Sequence, residues 1–238
     1  MMTQAIATMN GFMPTPPITG QAGPWYGVYT ALVTKVSDPD GQGRVQVRLP
    51  WTTDPDGAAY EPWARVATVM AGRDRGTWLI PEPNDEVLVA FVGGDPRSPV
   101  VVGALWNGQD TPPETMDNRN NIRSITSRSG IKVTFDDTDG GVTFTVATPG
   151  GQTVTCSDTP ASIEMTDSNG NIVKLDTAGI TLNASANVTI NGTLVNISAS
   201  MVKVDAGMSK FSGVVQSDTN ITNTTVSATY TPGAGNIW

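Results

Sequence analysis

The stretch GITLNASANVTINGTLVNISASMVKVDAGM, Gly179 to Met208, decides the fold. From Ile180 the apolar or small residues take every second position: Ile180, Leu182, Ala184, Ala186, Val188, Ile190, Gly192 and Leu194. The phase slips at Leu194-Val195 to give Val195, Ile197, Ala199 and Met201, and slips again at Met201-Val202 to give Val202, Val204, Ala206 and Met208. Thr, Asn and Ser dominate the alternate positions, and Lys203 and Asp205 are the only charges. Alternation of period two is β-structure with one dry and one wet face. The run is too long for one strand of about 3–10 residues, and one copy has nothing to cover its dry face. The expectation is several copies of the chain wound about a common axis. Ile180, Leu182, Val188, Ile190, Leu194, Ile197, Val202 and Val204 would form the shared core. The two slips predict bulges or corners where the strand changes the face it turns to the axis.

Upstream, the same language continues in shorter phrases. Ile131-Val133-Phe135 is answered across Asp136–Gly141 by Val142-Phe144-Val146, and Val154-Cys156, Ile163-Met165 and Ile172–Leu175 follow between turn signals. Strand starts recur about every ten residues, as in stacked short strands. The Asp-rich runs Asp136–Gly140 and Asp167–Gly170 read as hairpin turns, since neither has the EF-hand layout with its closing Glu. Cys156 is the only cysteine, so no intrachain disulfide forms, and its place on a strand makes it a small apolar packing residue.

From Trp25 to Asn107 the pattern is different: five or six short strands separated by Gly, Pro and Asp turns. Arg44–Leu49 alternates cleanly, and Val28–Val36, Trp63–Val69, Gly76–Ile80, Glu86–Val92 and Val100–Leu105 complete the set. A small closed barrel of OB type accommodates them, because closure removes exposed strand edges. Its expected core is Val45, Val47, Trp63, Trp78, Val87, Val89, Phe91 and Val101. Trp51, Trp63, Trp78 and Trp106 read as core or subunit packing, and the Asp85-Glu86 pair as a turn at a strand start. Residues 1–24, with four prolines and no periodicity, are expected to form a flexible or docking N-terminal arm, and the polar residues 108–125 a linker.

The net charge of −8 and pI near 4.4 disfavour nucleic acid, whose phosphates demand clustered Lys and Arg. Histidine is absent, which removes histidine-based nucleophile activation and the commonest zinc ligand together. Glycosidase chemistry needs two carboxylates facing across a cleft, and no segment is suited to hold them. No enzyme and no cofactor is therefore expected. The N-terminus lacks a basic stretch followed by an apolar core, so synthesis in the cytoplasm without a signal peptide is expected.

The segments GRVQVRLPW (Gly43–Trp51), WARVATVMAG (Trp63–Gly72), GTWLIPEPNDEVLVAF (Gly76–Phe91) and GDPRSPVVVGALWNG (Gly94–Gly108) resemble one known family. It is the central spike of contractile injection machines, which includes phage baseplate assembly protein V and the valine-glycine-repeat spikes of type VI secretion. The segment SGIKVTFDDTDGG (Ser129–Gly141) resembles the start of that family's triple-stranded β-helix. The resemblance implies an all-β chain: an OB-fold domain at 25–107, and an intertwined trimeric β-helix (β-prism) spike at 126–238. It also implies a homotrimer in a phage tail or related particle, joined to a separate hub protein on the OB side and piercing a target membrane or cell wall. Some relatives close their tips around a metal held by histidines. This chain has none, which implies a separate PAAR-type tip protein, with Pro232, Ile237 and Trp238 as its contact. The residues leave two alternatives open: a receptor-binding tail fibre or β-helical depolymerase, and an OB-fold nucleic-acid-binding protein.

Overall fold

In a computed structural model, residues 23–228 are described. The expected tip contacts Pro232, Ile237 and Trp238 lie outside them, as does most of the N-terminal arm. Among the described residues the regular structure is β, apart from one 3₁₀ turn at Val92–Gly94.

The first seven strands are β1 (Val28–Lys35), β2 (Val45–Arg48), β3 (Trp63–Val66), β4 (Ala71–Gly72), β5 (Arg75–Gly76), β6 (Glu86–Phe91) and β7 (Pro99–Leu105). Five of them close a barrel in the order β1-β2-β3-β7-β6, with β3 and β7 parallel and the other pairs antiparallel. β1 pairs with β6 along Val28–Leu32 and with β2 along Leu32–Lys35, and a register shift between Val33 and Lys35 marks a bulge within the β2 pairing. Asn84, at φ 80°, supplies the left-handed residue that turns the chain into β6. Alternation in β2 and β6 delivers Val45, Val47, Val87, Val89 and Phe91 to the interior, where Ala31, Val33, Leu49, Ala64 and Val101 join them. Trp25 closes one end. Its ring packs edge-on against Trp51 and Phe91, both at 4.9 Å, and its backbone N–H donates to the Gly94 carbonyl at 2.7 Å. Gly94 has φ 77°, and an added Cβ would stand 2.7 Å from Pro24 Cβ, so this closure requires glycine.

Two of the aromatic residues assigned to the barrel core depart from that expectation. Trp63 is only half-buried, with the Arg44 guanidinium 5.8 Å from its ring. Trp78 is 75% exposed in the single chain. The run Gly76–Ile80 adds no barrel strand: β4 and β5 form their own two-stranded ribbon, and Thr77 N–H donates to the Met70 carbonyl at 2.9 Å. The indole is left outside against Gly43, and Ile80 packs on the core instead.

Seven further strands follow: β8 (Ile122–Thr126), β9 (Lys132–Asp136), β10 (Thr143–Ala147), β11 (Thr153–Asp158), β12 (Ala161–Thr166), β13 (Ile172–Asp176) and β14 (Gly179–Asn183). They form an antiparallel meander in strict chain order, each strand paired with its sequence neighbour. The first of them starts inside the stretch read as linker. Glu114 ties that stretch to the sheet, pairing with Lys132 at 2.6 Å and accepting from Ser124 Oγ at 2.6 Å.

Residues 187–238 separate as a second unit, whose described part carries no strand and is exposed throughout. The alternating run therefore has a ladder only as far as Asn183 in one chain. The predicted bulges at Leu194-Val195 and Met201-Val202 fall where a single chain supplies no partner strand, so no register is defined there.

Candidate trimerisation surface

The hairpin turns set the register of the seven-stranded sheet, and the register sorts its faces. Cross-strand partners run Ile125–Val133–Val146–Val154–Met165–Val173–Leu182, one residue from every strand. Two positions along the strands a second row runs Phe135–Phe144–Cys156–Ile163–Leu175–Ile180. Residues two apart on a strand share a face, as do directly opposed partners, so both rows lie on one side. Between them, on the other side, runs Ser124–Thr134–Thr145–Thr155–Glu164–Lys174–Thr181. One face is thus continuously apolar and the other is polar along its centre. Arg123 is the one charge in register with the apolar rows; it sits at the edge strand and ion-pairs with Asp137.

The turns that fix this register are held by their own carboxylates. Asp167 accepts from Asn171 Nδ2 at 2.7 Å and from the Asn169 and Asn171 N–H groups, both at 2.9 Å. The Asn171 side chain, then its backbone N–H, hold the Asp167 carboxyl down to about 2. Asp136 is lowered by the side chain and then the backbone of Thr138, and Asp176 by the Ala178 N–H and then Lys174. The Asp-rich runs serve as Asx turns. In the barrel, Asp85 accepts from the Glu82 N–H at 2.8 Å, and Glu86 accepts from Asn107 Nδ2 at 3.0 Å; both carboxylates hold local structure.

Among the described residues, no side chain of the apolar face is fully buried. Phe135, Phe144, Ile163, Met165 and Leu175 are exposed, and the Phe135 and Phe144 rings meet at 5.1 Å, tilted by 47°. Cys156, in the middle of this face, is half-buried and free. Ile180 and Leu182 stand at its β14 edge, while Val188, Ile190, Leu194, Ile197, Val202 and Val204 lie in the strandless unit and are all more than half exposed. The sequence reading placed the shared core only from Ile180 onward. It passed over Val133, Val146, Val154, Met165 and Val173, although each sits in an alternating phrase that was recognised. The missing signal was the turn register that aligns those phrases.

Two family profiles match the chain in order. Residues 29–106 match the type VI secretion system/phage-baseplate injector OB domain. Residues 143–208 match the phage baseplate V C-terminal trimerisation domain, which takes in β10 to β14 and the alternating run to Met208. The chain belongs to the phage baseplate V family of injector spike proteins. Among similar proteins, a type VI secretion system spike protein of Pseudomonas aeruginosa, VgrG1b, is 29% identical over 129 residues, covering 52% of this chain and 17% of that protein. A spike protein of Vibrio cholerae, VgrG3, is 38% identical over 77 residues, 31% of this chain and 7% of its own. The actin cross-linking toxin VgrG1, also of Vibrio cholerae, is 32% identical over 93 residues, 36% of this chain and 8% of its own. The chain spans a fifth or less of the length of these curated relatives.

Proposed function

We propose that this family member acts as a homotrimeric central spike, a mechanical part with no catalytic role of its own. The observation that supports the reading is the sheet with one exposed apolar face, whose strands β10 to β14 lie in the trimerisation-domain match. Three such faces turned inward bury one another. Taking a half-exposed Val, Leu, Ile, Met or Phe to full burial contributes about 1 kcal/mol each, so a face with one or two such residues per strand makes trimer formation the main stabilising event of this region. Folding and assembly are then one process.

The run from Ala184 to Met208 becomes β-structure when neighbouring copies supply the missing ladders, giving the intertwined β-helical shaft. Backbone hydrogen bonds and a dry axis make such a shaft stiff, and its Thr, Ser and Asn exterior passes a membrane or wall without strong adhesion. The barrel end meets a separate hub protein. The C-terminal end, with Pro232, Ile237 and Trp238, meets a PAAR-type tip protein. In this role the chain is part of a phage tail or a related contractile particle. Light scattering on the purified chain tests the assembly: about 75 kDa is expected, three times the 25.0 kDa chain. A mass near that of one chain contradicts it.

A further inference from the structure

Two apolar patches stand open on the barrel and have no part in the sheet's apolar face. In the first, Met70, Trp78 and Leu79 lie beside the β4–β5 ribbon, with Trp78 75% and Leu79 67% exposed. In the second, Leu105 and Trp106 lie at the end of β7, with Trp106 68% exposed. Large apolar side chains grouped in this way on a surface mark an interaction site. The patches differ in charge. The ribbon carries Arg73 and Arg75 against the single Asp74, whereas Asp85, Glu86 and Asp110 line the hollow beside Trp106. Among the described residues, no ion pair engages Arg73, Arg75 or any of those three carboxylates. The carboxylates are set in place by uncharged donors: Asn107 Nδ2 donates to Glu86 at 3.0 Å and to Asp110 at 3.3 Å, and the Glu82 N–H donates to Asp85 at 2.8 Å.

Both patches border one cleft of about 780 Å³. Trp78 and Leu79 line it from the first patch, Asp85 and Ala104 from the second, and Thr126–Arg128 from the sheet. Thr126 ends β8, whose Ile125 begins the apolar row, so the patches adjoin the surface assigned to trimerisation. A threefold interface is heterologous: each copy turns one surface to one neighbour and a different surface to the other. Two apolar patches of opposite charge on one chain are what such a ring requires, and a second copy supplies the complement to each. We propose that in the homotrimer the β4–β5 ribbon of one copy docks on the Trp106 patch of the next, with the Arg73 guanidinium over the indole and among Asp85, Glu86 and Asp110. A planar guanidinium suits that place, since it stacks on an aromatic face and pairs with carboxylates at once. Arg73 lies at the exposed turn of the ribbon, whereas Arg75 folds back on it, its Nε 2.8 Å from where a Cβ on Gly72 would stand. The inference rests on the homotrimer proposed above and adds to it a second interface, on the barrel.

The test treats the purified full chain carrying Arg73→Lys with a water-soluble carbodiimide, which joins an amine to a carboxylate in direct contact. Arginine does not react, so the wild-type chain is the control. Denaturing gels of the variant should show covalently joined chains absent from the control. Mass spectrometry of the joined product should place the link between position 73 and Asp85, Glu86 or Asp110. Light scattering on the same sample reads the assembly before treatment. A three-chain mass with no link from position 73 to another copy overturns the proposal and leaves the homotrimer standing. That is also the outcome if the patches are reserved for a hub protein, which the sample does not contain. A single-chain mass overturns the homotrimer, and the proposal with it.

Discussion

The barrel and the seven-stranded sheet are built from the same residue types by the same alternation, yet they end in opposite states. In the barrel, closure turns every inward Val onto another, and Val45, Val47, Val87 and Val89 are fully enclosed. In the sheet, the apolar rows from Ile125 to Leu182 have register, but their Phe, Met and Ile residues stand open. Among the described residues, every fully buried hydrophobic side chain lies between Trp25 and Val101. The difference teaches where each region gets its stability. The barrel completes its core within one chain, while the sheet is a half-core, and in the spike role proposed above further copies supply the other half.

Charge placed at the centre of the apolar face breaks the comparison most severely. Val173→Asp sits in the middle row on β13, and three buried carboxylates at one axis oppose association at several kcal/mol each. The expected result is loss of the trimer, with scattering falling to the mass of a single chain while tryptophan fluorescence still reports an intact barrel. The converse substitution, Val89→Ala in β6, leaves a cavity in a closed core and should cost about 2 kcal/mol of barrel stability. It is read as an earlier tryptophan transition in urea at unchanged oligomeric mass.

Acid titration sharpens the contrast from the side of the turns. Asp167 has its folded pKa depressed from the ordinary 3.8 to about 2, so its contribution is complete above the unfolded value and is lost as pH falls through the folded one. Thermal stability of the sheet should decline below about pH 4, and Asp167→Asn should flatten that decline. The smallest effect belongs to the wet face. Thr145→Val, in the polar row, should change stability by no more than about 0.5 kcal/mol and leave the mass unaltered.

Much of this was legible in the sequence, for reasons that differ by region. The barrel strands announce themselves because Val45-Val47 and Val87-Val89-Phe91 alternate between strong turn signals. Gly76–Ile80 reads as a strand because Thr, Trp and Ile have strand propensity, whereas the local β4–β5 hairpin, closed by Thr77 N–H on the Met70 carbonyl, takes up its start. Trp25 is read only as the first residue of its domain, since it precedes the first alternating strand and no period reveals its burial. The alternation of β9 to β14 is visible phrase by phrase, whereas β8 falls in the stretch read as linker. That all seven strands turn their apolar residues to one side is not visible, because this follows from turn lengths and register. Past Asn183 the sequence states a β pattern that one chain has no partner strand to realise.

The most direct test uses the thiol already present. Cys156 lies mid-strand in β11, opposed by Phe144 and Ile163 in the apolar row, and is partly open in a single chain. Ellman's reagent should find it unreactive in the native protein and fully reactive once denaturant separates the copies. A thiol that titrates at once in the native protein would show that no second layer covers this face, and would contradict the account.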